Sequence, residues 1–389
     1  MSDPEQSSTG RRRTVLQVLP SLETGGVERG TVDIAAALVT AGFRAIVASS
    51  GGAMVREILR AGAEHVALPV HSKNPIVMWR NVGRLVRLIE TEAIDLVHAR
   101  SRAPAWSARA AASRTGKPFV TTFHGTYNAK SSLKRAYNAI MAKGDRVIAI
   151  SKFIAQHVQT DYGVDPARIR VIHRGVDFDV FSPDRVSSER LIQLARQWRI
   201  PDDARVVMLP GRLTRWKGHT VLIEAMRRLA DHRDWVVRCI LVGSDQGRTG
   251  YRAELEGLIA SLGLLDRVQI VDECRDMAAA YTLADVVVSA STDPEAFGRV
   301  AVEAQAMGCP VVATDHGGAR ETVVPASTGW LVPPGDAGML AAAIDAALAL
   351  DDDARQRLRA RAIAHVRANF SKAQMGEATL AVYRELLGD

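Results

Sequence analysis

Cysteine is scarce in this chain. Its 389 residues hold three, Cys239, Cys274 and Cys309, and no two have Cys-x-x-Cys spacing. That excludes a disulfide-stapled scaffold, and the three read as reduced structural thiols in a cytosolic setting. Long apolar runs are missing too, so no segment is expected to span a bilayer. The first ten residues are polar and lack the apolar core of a signal peptide. They read as a disordered tail, residues 1–13, closing on Arg11-Arg12-Arg13. Gly25-Gly26 lacks the G-x-G-x-x-G spacing of a nicotinamide dinucleotide fold, which argues against a nicotinamide dehydrogenase. Basic residues are dispersed and no nucleic-acid motif accompanies them, so nucleic acid is not an expected partner.

What is present is a normal soluble composition, 47% hydrophobic and 24% charged, with a net charge of +7. The charge is unevenly shared. Residues 1–180 carry 25 Lys and Arg against 15 Asp and Glu, whereas the remainder carries 25 against 28. The basic half favours an anionic surface or a phosphorylated acceptor. Two helical stretches there, Pro75 to Glu90 with Trp79, Arg80, Arg84 and Arg87, and Lys130 to Lys143 with Lys134, Arg135 and Tyr137, suit a lipid headgroup region or the outer face of a covering helix. A length of 389 residues suits two domains.

Strand-like and helix-like stretches alternate from Thr14 to Ile150, and the alternation restarts at Arg205 after a hinge-like region, Gly175 to Pro183. This predicts two parallel sheets, each covered by helices. Ligands in such sheets bind beyond the carboxyl ends of the strands. The chemistry-bearing motifs fall at those ends. Glu295 follows the apolar run Ala284 to Ser291, and Glu303 lies eight positions later inside a helix. Between them Phe297-Gly298 allows a tight turn that leaves helix amides open to an anion. Gly211-Arg212-Leu213-Thr214-Arg215-Trp216-Lys217-Gly218 follows another strand, and its Arg and Lys suit a diphosphate. Carboxylates for hydroxyls beside cations for phosphate describe a sugar joined to a phosphate. Ser151 reads as a helix N-cap. Asp177-Phe178-Asp179 has the spelling of a metal motif but lies in the hinge region.

The stretch Glu295-Ala296-Phe297-Gly298-Arg299-Val300-Ala301-Val302-Glu303 resembles the E-x7-E signature of glycosyltransferase family 4, and the resemblance runs from about Val15 to about Leu387. It implies the GT-B fold, α/β with two doubly wound Rossmann-like domains facing a central cleft. The expected division is 14–180 for the acceptor domain, 181–370 for the nucleotide-sugar domain, and 371–389 for a last helix crossing back to the first. The resemblance implies a retaining transfer from a UDP-, GDP- or ADP-sugar to a hydroxyl of a glycan or a lipid-linked acceptor, as in lipopolysaccharide or envelope polysaccharide assembly. No metal or other cofactor is implied. Catalytic positions carried over are His124, Arg212, Lys217 and Glu295. Donor-binding positions are Gly25, Gly26, Arg212, Lys217, Glu295, Phe297, Gly298, Arg299 and Glu303. Arg174 stands where the family usually has Asn, and Asp272 stands at the Gly position of the loop near the base. The implied location is cytoplasmic, peripheral on the inner membrane's cytoplasmic face. A nucleotide-sugar epimerase and a non-catalytic sugar-nucleotide module are the competing readings.

Overall fold

The computed structural model describes residues 11–127, 131–230, 236–247 and 249–388. Lys130 and the first ten residues of the expected tail lie outside them. The chain divides into two compact units.

The first unit comprises the chain up to Ile150, then Ile154–Ile172 and Met375–Asp389. Its seven strands are β1 (Thr14–Val18), β2 (Arg44–Ser49), β3 (Glu64–Ala67), β4 (Leu96–Ala99), β5 (Phe119–Phe123), β6 (Arg146–Ala149) and β7 (Ile169–Val171). They pair in the order β3-β2-β1-β4-β5-β6-β7, all parallel. β1, β4 and β5 are buried at every position, as strands covered on both faces must be. β3 and β7 were not expected, because they are short, partly exposed edge strands with no apolar run to betray them. The helix Pro75–Thr91 begins with Pro at its first position, while Asn74 accepts from Ile76 N and Val77 N. It buries Asn81, Val82, Leu85 and Ile89. The last helix, Lys372–Leu387, puts Met375, Leu380, Val382 and Tyr383 into this unit's core beside Val15, Leu38 and Leu96. Arg11 bonds Asp95 at 2.5 Å and Arg12 donates to Gly42 O at 3.1 Å. Arg13 donates to Leu387 O, so the three arginines rest on this unit rather than ending a free tail.

The second unit comprises Ser151–Phe153 and His173–Gln374. Its strands are β8 (Arg205–Pro210), β9 (Val237–Val242), β10 (Val268–Val271), β11 (Val286–Ser289), β12 (Val311–Thr314) and β13 (Trp330–Val332). They pair in the order β10-β9-β8-β11-β12-β13, again all parallel. Two apolar layers cover the sheet, one around Leu222, Leu255 and Ile344, the other around Met208, Tyr281 and Ala304. The segment expected as a hinge is tied to the end of this unit. Val176 N donates to Phe370 O, Lys372 N donates to Val176 O, and Lys372 Nζ meets Asp177 at 2.5 Å. Asp177 is thus half of an ion pair, and Asp179 accepts from Arg185.

Candidate functional site

In the second unit the chain runs β8, β9, β10 outward, then returns to lay β11 against the other side of β8. That reversal makes the carboxyl ends of β8 and β11 a topological switch point, where open α/β sheets bind ligands. The loops that leave there carry Arg212, Lys217 and Glu295.

The β8 loop closes with a short 3-10 turn, Arg215–Lys217, followed by Gly218 at φ +73°. A Cβ on Gly218 would stand 1.8 Å from Ala290 O. Only glycine admits both that dihedral and that approach. The approach brings Lys217 to the end of β11, where its Nζ lies 2.5 Å from Glu295 Oε1. Ser291 Oγ donates to the same oxygen at 2.7 Å. The ammonium also sits 4.5 Å from the centre of the Trp216 ring. Arg212 is exposed and makes no ion pair among the described residues. His219, fully buried at the start of the next helix, is pushed down to about 4 by burial, with the Lys217 charge adding to the effect.

The β11 loop ends in Gly298 at φ +92°, which opens the helix Arg299–Ala306. The first-turn amides of a helix have no acceptor within it, and its dipole favours an anion there. Phe297 is buried and packs edge-on against Phe370, with ring centres 5.5 Å apart. Glu303 is buried one turn into the helix, 8% exposed. Its Oε1 accepts from Arg299 at 2.6 Å and its Oε2 accepts from the Tyr281 hydroxyl at 2.9 Å. Arg299, expected among the donor-binding residues, thus pairs with Glu303. Glu303 is not a free surface acid.

Ser151, expected as a helix N-cap, precedes the helix Lys152–Tyr162, and its Oγ donates to Ala296 O at 2.6 Å. Glu321 accepts Lys152 N and Phe153 N at 2.8 Å each. His173 Nε2 lies 2.9 Å from the same carboxylate. Burial raises the Glu321 carboxyl, but the bonds from His173, Phe153 and Lys152 outweigh it and hold the group below the ordinary range. The carboxylate wins because the His173 ring and two converging amides all bond to its charged form.

The other expected residues belong to the first unit. Gly25 and Gly26 follow β1 and open the helix Gly26–Thr40. The Glu28 carboxylate folds over Gly25, 2.3 Å from where a Cβ would be. His124 follows β5, with Arg100 at the end of the intervening β4. Arg100 is buried and donates to Gln17 Oε1 at 3.1 Å. The structure therefore joins Lys217 with Glu295 and Arg299 with Glu303. It adds Trp216, Ser291 and Tyr281, which sequence reasoning did not single out as site residues. Tyr281 lies in an alanine-rich helix that reads only as core, and nothing local marks it.

Comparison with known proteins agrees with this layout. Residues 192–365 match the family described as Glycosyl transferases group 1, and residues 24–180 match Glycosyltransferase Family 4. A glycosyltransferase structure from Rickettsia africae ESF-5 is similar over 98% of this chain and 100% of its own, at 39% identity and TM-score 0.90. Anabaena Alr3699/HepE, solved in complex with UDP-glucose, is similar over 96% of this chain and 99% of its own, at 25% identity and TM-score 0.83. The D-inositol 3-phosphate glycosyltransferase of Mycobacterium tuberculosis is 37% identical over 256 residues, 64% of this chain. The chain spans half the length of that curated relative. Two Rossmann-like parallel-sheet units, a signature intact from Glu295 to Glu303 and a full-length relative at 39% identity place this chain in glycosyltransferase family 4.

Proposed function

We propose that this protein is a retaining, metal-independent glycosyltransferase that moves a sugar from a nucleotide-diphosphate sugar to a hydroxyl of a glycan or lipid-linked acceptor. The observation that carries the reading is the Lys217–Glu295 pair at the switch point, beside the exposed Arg212 and the Gly298 helix start. An arriving pyrophosphate takes Lys217 and Arg212 and leaves the Glu295 carboxylate to accept a sugar hydroxyl. Glu303 accepts ribose hydroxyls. As the bond from the anomeric carbon to the phosphate oxygen breaks, charge grows on that oxygen, and fixed cations and amides stabilise it in place of a metal. The acceptor oxygen bonds to the same face of the anomeric carbon, and its proton passes to the departing phosphate. The products are a glycoside and a nucleoside diphosphate. His124 and the Gly25-Gly26 turn are the first unit's share of the reading, by resemblance. The UDP-glucose bound to the Anabaena relative makes a UDP-sugar the first donor to try, ahead of GDP- and ADP-sugars.

The test is a thermal-shift panel of UDP, GDP, ADP and their sugars, since a ligand that binds the folded state raises Tm. Sugar transfer to glycan and glycolipid acceptors is then followed by mass spectrometry, and the product anomer by NMR. Lys217→Ala and Glu303→Ala should each lower kcat/KM by roughly 100-fold or more, and a chelator should change nothing. Unchanged activity in both variants, or isomerised donor without transfer, would overturn the reading.

We also infer that the first unit docks on an anionic membrane face. No helix among the described residues is long and apolar enough to cross a bilayer. The helix Pro75–Thr91 instead exposes Ile76 (62%) and Trp79 (70%) beside Arg80 and Arg87, neither ion-paired among the described residues. Leu133, 83% exposed, lies beside Lys134 on a second short helix. Trp106 stacks on Tyr137 and ties that helix to its neighbour. Aromatic and aliphatic tips among unpaired cations suit the headgroup layer of an anionic lipid surface. The setting this fits is lipopolysaccharide or envelope polysaccharide assembly at the cytoplasmic face.

A further inference from the structure

The two oxygens of Glu303 are held in unlike ways. Oε1 is held by Arg299, whose side chain is 44% exposed. Oε2 is held by Tyr281, which is 1% exposed and cannot move without opening the core. The Tyr281 ring is wedged between the helix it belongs to, Met277–Leu283, and Phe181, whose ring centre lies 6.0 Å away. Its hydroxyl sits where a buried O–H needs an acceptor, and Glu303 supplies one. The Glu303 side chain leaves a helix whose Gly298 start fixes its rotation about the helix axis, so two independent elements converge on one carboxylate. One lone-pair edge is thereby committed to the core, and the other faces the more exposed Arg299.

That asymmetry has a chemical consequence. A carboxylate that already accepts from a phenol stays an acceptor, so its open edge takes donors and turns away anions. A single open edge of fixed direction reads one hydroxyl pair at one place. Resting on the donor reading above, we propose that Tyr281 is a positioning residue that aims Glu303 at the ribose hydroxyls and so sets the preference for ribonucleotide over 2′-deoxyribonucleotide donors. Without the phenol, the carboxylate can turn about its terminal torsion, which is broad and roughly two-fold, and Arg299 can follow it.

Calorimetry with UDP against 2′-deoxy-UDP, and with the GDP and ADP pairs alongside, tests this on the intact chain. In the wild type the ribonucleotide of the preferred base should bind about tenfold tighter than its 2′-deoxy form, the loss expected when a charged acceptor is left without its donor. Tyr281→Phe keeps the ring and removes the hydroxyl. It should weaken ribonucleotide binding by about tenfold, leave 2′-deoxynucleotide binding within about twofold, and so collapse the preference. In transfer assays the same variant should raise donor KM and leave kcat within about twofold. Glu303→Gln is the second variant. The Tyr281 hydroxyl holds the amide oxygen inward and turns the NH2 toward the ligand, so this variant should lose the preference while remaining folded. Equal weakening of both nucleotides in Tyr281→Phe, or a Glu303→Gln protein that keeps the ribose preference, would overturn the proposal. A wild type that binds none of the nucleotides would instead overturn the donor reading, before Tyr281 comes into question.

Discussion

At the scale of single residues, the site is a set of side chains held by partners that differ in how easily they let go. Lys217 and Glu295 are both mostly buried, so removing one leaves the other as an uncompensated charge, and a pyrophosphate that takes Lys217 must supply the replacement. His219 lies directly beneath and titrates in the experimental range. Its folded value of about 4 is below the ordinary 6.5, because burial and then Lys217 disfavour the charged ring. Below pH 6.5 the unfolded chain takes up a proton that the folded chain refuses, so stability falls with falling pH until about pH 4. Between pH 8 and pH 5 that loss should be about 2 kcal/mol. Urea unfolding at both values, with His219→Gln as the comparison, checks it, since the variant should show a shallower dependence by that amount. Lys217, Glu295 and Glu303 stood out in the sequence because Lys217 and Glu295 follow apolar strand-like runs and Glu303 lies at a fixed spacing inside the next helix. Ser291, Trp216 and Tyr281 did not, because their roles come from contacts across strands and helices that no short window contains.

At the scale of elements, the last helix is the informative one. Its periodicity made it readable as a helix, but its docking place rested on resemblance alone. In the structure Tyr383 reaches His98 Nδ1 at 2.6 Å, and the other ring nitrogen meets Thr122 Oγ1 at 2.7 Å. His98 is fully buried, and burial followed by the Arg100 charge keeps its ring neutral. A neutral ring needs one donor and one acceptor, and the two hydroxyls can serve as both. Glu385 on the same helix pairs with Arg146 and Arg170 at 2.6 and 2.7 Å. Tyr383→Phe leaves His98 Nδ1 buried without a partner and should cost about 1–3 kcal/mol of unfolding free energy by urea titration. Loss of the Glu385 pairs, which are part-exposed, should cost less than about 1 kcal/mol. The edge strands β3, β7 and β13 went unread for the opposite reason: three or four residues with mixed burial give neither alternation nor an apolar run.

At the scale of the whole molecule, the surplus of positive charge up to residue 180 is the feature composition alone could show, and the exposed Ile76, Trp79 and Leu133 give it a place to act. Sedimentation with vesicles containing phosphatidylglycerol should pull the protein down, whereas phosphatidylcholine vesicles should not. Trp79→Ala together with Arg80→Glu should abolish most of that binding, and raised salt should weaken it. Binding that is indifferent to lipid charge would sink the idea. The first unit has one more property that follows from its make-up. Tyr383 and His98 are 285 positions apart in the chain yet share one hydrogen bond, and the whole second unit is encoded between them. During synthesis the first sheet therefore leaves the ribosome with its histidine and the groove around Val15 and Leu38 uncovered. It stays so until the helix Lys372–Leu387 has been made, so completion of the first core waits on synthesis of the whole second unit.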